Sequence, residues 1–414
     1  MNKAPKSLHL HLGLFGRTNV GKSTFLNYIT NQDVAITSPL PGTTTDVVEK
    51  AIELPPLGPV LFLDTAGLDD TSDLAEDRLK KTTKIFNRVD MSLLILEPDT
   101  WTAYEDTITR ESKKRDVPVI GIINKCDAQT PQEGFLKDCR DKMDALLCLS
   151  SVDEKARDQN IHLFKKHVIS LCPEDFIKPL PLIGDLVAAG GLVMLIVPID
   201  LQAPKGRLIL PQVQTIRDTL DHDAACMVVK EREYAHYLRQ LRIKPDIVVC
   251  DSQVVLKMVA DTPADIKCTT FSILFARNKG NLITFAKGAA VLDRMLPADK
   301  ILISESCSHH PIEDDIGRVK IPRWIRQYLG RDIAYDVCCG KDFPDNLKEY
   351  RLIIQCGGCM TNRREMLSRV ELANEQGIAI TNYGLCISLL QGVLERVLQP
   401  FPAALMAYQD TRKA

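Results

Sequence analysis

The chain has 414 residues, too many for one ordinary hydrophobic core, so two or three domains are expected. Apolar residues make up 45% and charged residues 26%, the balance of a folded globular protein, and a net charge of −2 argues against a broad polyanion-binding surface. No stretch reaches the roughly 18 apolar residues of a membrane span, and "MNKAPKSLHLHLGLFG" lacks the apolar core of a signal peptide. A cytoplasmic location, with the thirteen cysteines reduced, is therefore the expectation.

In chain order, residues 8–170 alternate apolar runs with helical patterns, as in a parallel α/β domain. His9 and His11 alternate along its first strand and are expected on a solvent face. The stretch "GLFGRTNVGKSTFLN" then carries Gly16-x-x-x-x-Gly21-Lys22-Ser23, a P-loop between a strand and a helix. Glycines let backbone N–H groups close on a β-phosphate, and the helix N-terminus adds its dipole. Arg17, Thr18, Asn19, Val20 and Thr24 complete that loop and the first helical turn. Lys22 supplies a point charge to the β- and γ-phosphates, and Ser23 a hydroxyl to Mg²⁺.

The remaining parts follow in order. "PGTTTD" offers Thr44 as a second Mg²⁺ ligand when a γ-phosphate is present. "LFLDTAG" ends a buried strand with Asp64 at the Mg²⁺ shell and Gly67 at the γ-phosphate. "IINKCD" ends another strand with Asn124, Lys125 and Asp127. The Asp127 carboxylate can accept two hydrogen bonds from the N1–H and 2-amino edge of guanine, which adenine lacks, so GTP is expected over ATP. Ser150 and Ser151 fit the last base-binding loop.

A break is expected at "CPEDFIKPLPLIGDL", which has three prolines between Cys172 and Pro181. Beyond it, "GLVMLIVPI", "AACMVVK" and "PDIVVCDS" read as buried strands, with helices over "LPQVQTIRDTL" and "REYAHYLRQL". A third unit follows, with helices near 281–295, 317–329, 363–375 and 385–398 and strands near 300–304, 352–355 and 377–381. The expected fold is thus α/β throughout: a P-loop GTPase domain over 7–173, a small α/β domain over 174–268 and another α/β domain over 269–414.

The third unit holds two cysteine motifs, "SESCSHHP" with Cys307, His309 and His310, and "IIQCGGCMTN" with Cys356 and Cys359. Both follow strands, and in an open α/β sheet ligand sites gather at that strand end. Three readings stay open on chemistry alone. They are a redox dithiol, a zinc site of three cysteines and a histidine, and an iron–sulfur cluster on three thiolates. The pair Cys338-Cys339 reads as loop or core thiols, and Cys126, Cys148, Cys226, Cys250 and Cys386 as core.

The nucleotide motifs over 8–170 resemble translation-factor-class GTPases of the Era/TrmE type. That resemblance implies slow hydrolysis, because Leu68 stands where Ras-like enzymes carry a glutamine. It also implies K⁺ at Asn19 as a substitute for an arginine finger. The catalytic set is then Lys22, Thr44, Gly67 and Asn19. Over its whole length, the order of motifs resembles the [FeFe]-hydrogenase maturation GTPases. This implies a [4Fe–4S] cluster on Cys307, Cys356 and Cys359, dimerisation through the middle domain, and a scaffold or carrier role. The implied partners are radical-SAM maturases, which supply a diiron precursor, and the apo-[FeFe]-hydrogenase that receives it. Membrane and nucleic acid are not among them. Gln355 departs from relatives that have histidine before the CxxC, which leaves the fourth ligand open among Glu305, His309, His310, water and a precursor ligand. The alternative is a redox-sensing regulatory GTPase acting on RNA or ribosomes.

Overall fold

The computed structural model describes residues 5–30, 48–64, 85–198, 208–306, 315–340 and 343–413. Two compact units divide the chain, Met1–Pro179 and Leu180–Ala414.

The first unit runs β1 (Leu10–Phe15), α1 (Lys22–Thr30), β2 (Val48–Glu53), β3 (Pro59–Asp64), β4 (Met91–Leu96), α2 (Ala103–Lys114), β5 (Val119–Ile123), α3 (Glu133–Lys142), β6 (Ala145–Cys148) and α4 (Arg157–Leu171). The strands are ordered β2-β3-β1-β4-β5-β6, all parallel except β2 against β3. β1, β4 and β5 are buried at every position, as central parallel strands covered on both faces must be. Strand succession reverses beside β1, and the loop after β1 opens at that switch point.

Double-sided cover also corrects the histidine expectation. His9 and His11 are buried, not solvated. Segment 88–90 lies over this end of β1: the His11 N–H donates to Asp90 Oδ2 at 2.8 Å, and the Asp90 N–H returns to the His11 carbonyl at 2.9 Å. Cys148 differs in the opposite direction. It is exposed, because β6 is an edge strand and Cys148 ends it.

The second unit has two four-stranded sheets, both parallel throughout. In the first, β7 (Leu192–Ile196), α5 (Leu210–Asp221), β8 (Ala225–Val229), α6 (Tyr234–Gln240), β9 (Ile247–Cys250), α7 (Val255–Asp261) and β10 (Lys267–Thr270) give the order β10-β9-β7-β8. Helices α8 (Phe271–Lys279) and α9 (Leu282–Ala290) follow without a long loop. In the second, β11 (Lys300–Glu305), α10 (Ile321–Leu329), β12 (Ala334–Cys339), β13 (Leu352–Gln355), α11 (Arg363–Glu375) and β14 (Ala379–Asn382) give the order β12-β11-β13-β14. The chain closes with α12 (Tyr383–Leu390), α13 (Leu394–Leu398) and α14 (Pro402–Lys413). One continuous core, from Leu182 to Tyr408, serves both sheets.

Three elements differ from the sequence reading. Cys338 and Cys339, read as loop or core thiols, end a strand that the sequence did not show, β12; both are half-buried, and Cys338 packs against the core. The helix expected over 385–398 breaks at Gly392, whose φ is +73°. The short, polar β10 was not legible as a strand, since its partner β9 supplies most of the apolar character.

Candidate functional site

The phosphate loop connects β1 to α1 between Gly16 and Ser23. Its shape is set by Gly16 (φ +150°), Asn19 (φ 64°) and Gly21 (φ +97°). A Cβ at Gly21 would lie 2.4 Å from Asn124 Nδ2, so only glycine fits there. Lys22 is buried, and its ammonium donates to the carbonyls of Gly16 and, at 3.0 Å, Arg17. It thus caps the loop from inside, in reach of the space a phosphate would take. Ser23 and Thr24 are exposed at the start of α1.

Asn124 joins three loops. Its Nδ2 donates to the Val20 carbonyl at 3.1 Å, while its Oδ1 accepts from the Ser151 N–H at 3.0 Å and hydroxyl at 2.9 Å. Lys125, also at positive φ (60°), donates to the Asn19 carbonyl at 2.7 Å and to Glu97 at 2.6 Å. Asp127 is exposed beside it. Ser150 and Ser151 are buried. Asp64 is buried at the end of β3, in register with Leu14 of β1. Thr44 and Gly67 lie outside the described residues, as does Leu68.

Sequence reasoning missed the brace behind this loop. Arg17 Nε donates at 3.0 Å to Glu105, which is fully buried, and the Tyr104 hydroxyl accepts the Gly16 N–H at 3.3 Å. Glu105 also completes the N-terminal capping box of α2 with Thr102. No motif marks these residues, because they act from a helix some ninety residues downstream.

The second site lies where β11 and β13 end side by side. Strand succession reverses between them, which makes their C-terminal edge the crevice of this sheet. The Ser306 N–H donates to Cys356 Sγ at 3.1 Å, and the Ser306 hydroxyl sits 3.1 Å from the same sulfur. Cys307, the next residue, lies outside the described residues, with His309 and His310. Gln355 is buried, with Nε2 at 3.1 Å from Ser306 Oγ and 3.7 Å from Cys356 Sγ, and Oε1 accepting from Arg369 at 3.2 Å. Its amide is held in place as a neighbour of the sulfur.

Cys359 is half-buried, and burial followed by the charge of Cys356 raises its thiol pKa, with Lys279 opposing. Burial lowers the Lys279 pKa to about 8, against the pull of Cys359 and Cys356. Glu305 accepts from Arg318 at 3.2 and 3.1 Å and lies 3.3 Å from Cys339 Sγ. Cys339 in turn accepts from Arg318 at 2.7 Å, while burial, then Glu305, raises its pKa. Among the described residues no group of three or more metal-ligating side chains occurs.

The donor set suits a soft, thiolate-bound iron–sulfur group. Two half-buried thiols share a turn with Gly357-Gly358, one sulfur already receives a backbone N–H, and a buried cation stands by to balance thiolate charge.

No helix among the described residues is long and apolar enough to cross a membrane. Residues 11–125 match the family model described as a 50S ribosome-binding GTPase. GTPase Era of Thermoanaerobacter sp. (strain X514) is 34% identical over 169 residues, 39% of this chain and 54% of Era. The tRNA modification GTPase MnmE of Cyanothece sp. is 40% identical over 120 residues, 28% of this chain and 25% of MnmE. The chain thus spans about half or less of the length of these curated relatives. A crystal structure of an Aquifex aeolicus Era variant bound to GDP and AlF4⁻ covers 56% of this chain and 98% of its own, at 20% identity and a TM-score of 0.32. The rest of the chain matches differently. Residues 182–280 match the hydrogen maturase F dimerization domain and residues 283–400 its tetramerization domain. These two adjacent models together span more than half of the chain, behind a P-loop GTPase domain, and the chain belongs to the hydrogen maturase F family.

Proposed function

We propose that this chain is a GTP-hydrolysing scaffold that holds a [4Fe–4S] cluster on Cys307, Cys356 and Cys359 and delivers a diiron precursor to apo-[FeFe]-hydrogenase. The observation that carries the reading is the hydrogen bond from the Ser306 N–H to Cys356 Sγ. Ser306 is at the end of β11 and immediately precedes Cys307 in sequence, and its contact with Cys356 joins the ends of β11 and β13. The cluster, when bound, supplies an exchangeable iron position for the precursor. The chain's own residues orient the thiols: Ser306 and Gln355 around Cys356, and Lys279 behind the CxxC turn.

In this reading residues 7–173 bind GTP and Mg²⁺ through the loop residues described, with K⁺ at Asn19. Residues 174–268 mediate dimerisation and 269–414 carry the cluster. The matched domain models favour oligomers larger than a dimer as well. Radical-SAM maturases load the precursor. The nucleotide and thiol sites lie in separate units, so communication between them runs through domain or subunit rearrangement.

Anaerobic reconstitution with iron and sulfide tests the proposal. Stoichiometric iron and acid-labile sulfide, an EPR signal on reduction, and activation of apo-hydrogenase after incubation with the maturases are expected. Zinc without sulfide in the purified protein would refute it.

A further inference from the structure

Lys279 is the last residue of α8 and only 4% exposed. A basic side chain in the last turn ordinarily turns to its own helix's carbonyls or to solvent. Lys279 instead donates to three carbonyls of a loop about eighty residues away in sequence. These are Gly358 at 2.9 Å, Thr361 at 2.9 Å and Cys359 at 3.4 Å. The loop they belong to is the CxxC turn and the residues leading into α11. It is closed further by the Thr361 N–H, which donates to the Gly358 carbonyl at 3.1 Å, and by Gly358 itself at φ +63°. The charged groups that act on the ammonium are Cys359, Cys356 and Glu365, all at this corner. A buried ammonium is costly to desolvate; here the three carbonyls offset that cost, together with the Phe275 ring, whose centroid lies 5.4 Å from Nζ.

We infer that Lys279 is the positioning residue of the CxxC loop: it clamps the turn through its carbonyls and places a fixed positive charge beside Cys356 and Cys359. The clamp concerns the chain alone. The charge matters through the cluster proposed above, and that half rests on the cluster reading. A cation beside an iron–sulfur group stabilises its reduced, more negative state, so it raises the reduction potential.

Two variants of the full chain, Lys279→Gln and Lys279→Arg, separate the parts. In metal-free protein, hydrogen exchange of backbone amides in 358–362 should speed up about tenfold or more in Lys279→Gln, as expected for losing a charge-assisted contact. Peptides from the first unit and from β7 should not change, and Lys279→Arg should recover most of the protection. After reconstitution, the EPR-monitored midpoint potential should move to more negative values in Lys279→Gln and stay near wild type in Lys279→Arg. Unchanged exchange in 358–362 would overturn the clamp. An unchanged potential in a fully loaded Lys279→Gln would overturn the charge. Wild-type protein that takes up no sulfide would instead refute the cluster reading, and the exchange measurement would still decide the clamp.

Discussion

The side-chain amide of Asn124 donates to the carbonyl of Val20 at 3.1 Å, so the segment after β5, where the base-reading residues are expected, and the P-loop are joined by a buried hydrogen bond. The same side chain accepts from Ser151. Three segments of nucleotide-binding motif thus share one polar side chain, and a change in any one is felt by the other two.

Gly21→Ala should break this joint. The new Cβ would meet Asn124 Nδ2 at 2.4 Å and would also sit at φ +97°. A loss of about 2–4 kcal/mol in stability of the N-terminal unit is expected, from strain plus a lost buried hydrogen bond. Gly58→Ala serves as the control, with φ +85° but open space around it. It should cost about 1–2 kcal/mol, from conformation alone. Calorimetry of both variants checks this, and equal losses would mean the contact with Asn124 is not what excludes a side chain.

Asp127→Asn should move preference from GTP towards xanthosine triphosphate, because a carboxylate acceptor becomes partly a donor. A drop in GTP affinity of about 10- to 100-fold is expected from one charged hydrogen-bonding partner. Competition binding with the two nucleotides reads the change. Undiminished GTP binding would remove Asp127 from the base site.

GTP turnover should be faster in K⁺ than in Na⁺ at matched ionic strength. Asn19 is held at φ 64° with its carbonyl fixed by Lys125, which leaves its side chain as the adjustable donor to a monovalent cation. Asn19→Ser should lower the K⁺ rate towards the Na⁺ rate without altering the latter. Steady-state phosphate release in the two salts decides it.

Cys307→Ala, Cys356→Ala and Cys359→Ala should each strip most bound iron and sulfide while leaving GTP hydrolysis intact. Cys338→Ala should retain both. Lys22→Ala should show the reverse pattern, abolishing hydrolysis but keeping the EPR signal. Full iron and sulfide in Cys307→Ala would rule out the three-thiolate set.

Stability of the N-terminal unit should fall in mild acid through His11. Its ring nitrogens lie 3.1 Å from the Arg88 carbonyl and 2.9 Å from the Lys6 carbonyl, contacts that favour the charged ring. Burial outweighs them and drives the pKa from 6.5 to about 4. The folded unit therefore keeps His11 neutral while the unfolded chain takes up a proton below pH 6.5. The contribution is complete above that pH and is lost as pH falls towards 4, up to about 3 kcal/mol. Thermal unfolding at pH 7, 6 and 5 should show the decline, and His11→Gln should flatten this part of it.

The nucleotide loops were legible because their chemistry is local: glycine, lysine and hydroxyl positions within eight residues define a phosphate cradle. Helix α11 was legible to the residue, because Asn362 caps it by accepting from the Glu365 N–H at 3.0 Å. Strands β10 and β12 were not, since "KCTT" and "AYDVCC" lack a continuous apolar run. Each lies at a sheet edge and draws its order from a single neighbour. The thiol corner was half legible. CxxC marks itself, but Lys279 and Arg369 are ordinary helix residues in sequence, and nothing local distinguishes a lysine that points to solvent from one that turns inward. His11 was misjudged for the same reason: strand alternation assigns a face, and tertiary cover decides whether that face is wet.

Strand β10 passes into α8 with no residue between them. Thr270 ends the strand and caps the helix, its hydroxyl accepting from the Ile273 N–H at 3.2 Å. The far end of that helix is Lys279, about 13 Å along the axis. Mechanically this is a strut without a hinge: its root is the edge strand of the sheet in the segment matched to dimerization, and its tip is seated in the cysteine turn. A rotation of that sheet has no slack segment in which to dissipate before it reaches the turn. The thiol corner is therefore sensitive to torque applied elsewhere in the same unit, and a glycine pair inserted after Thr270 would turn the strut into a loose tether.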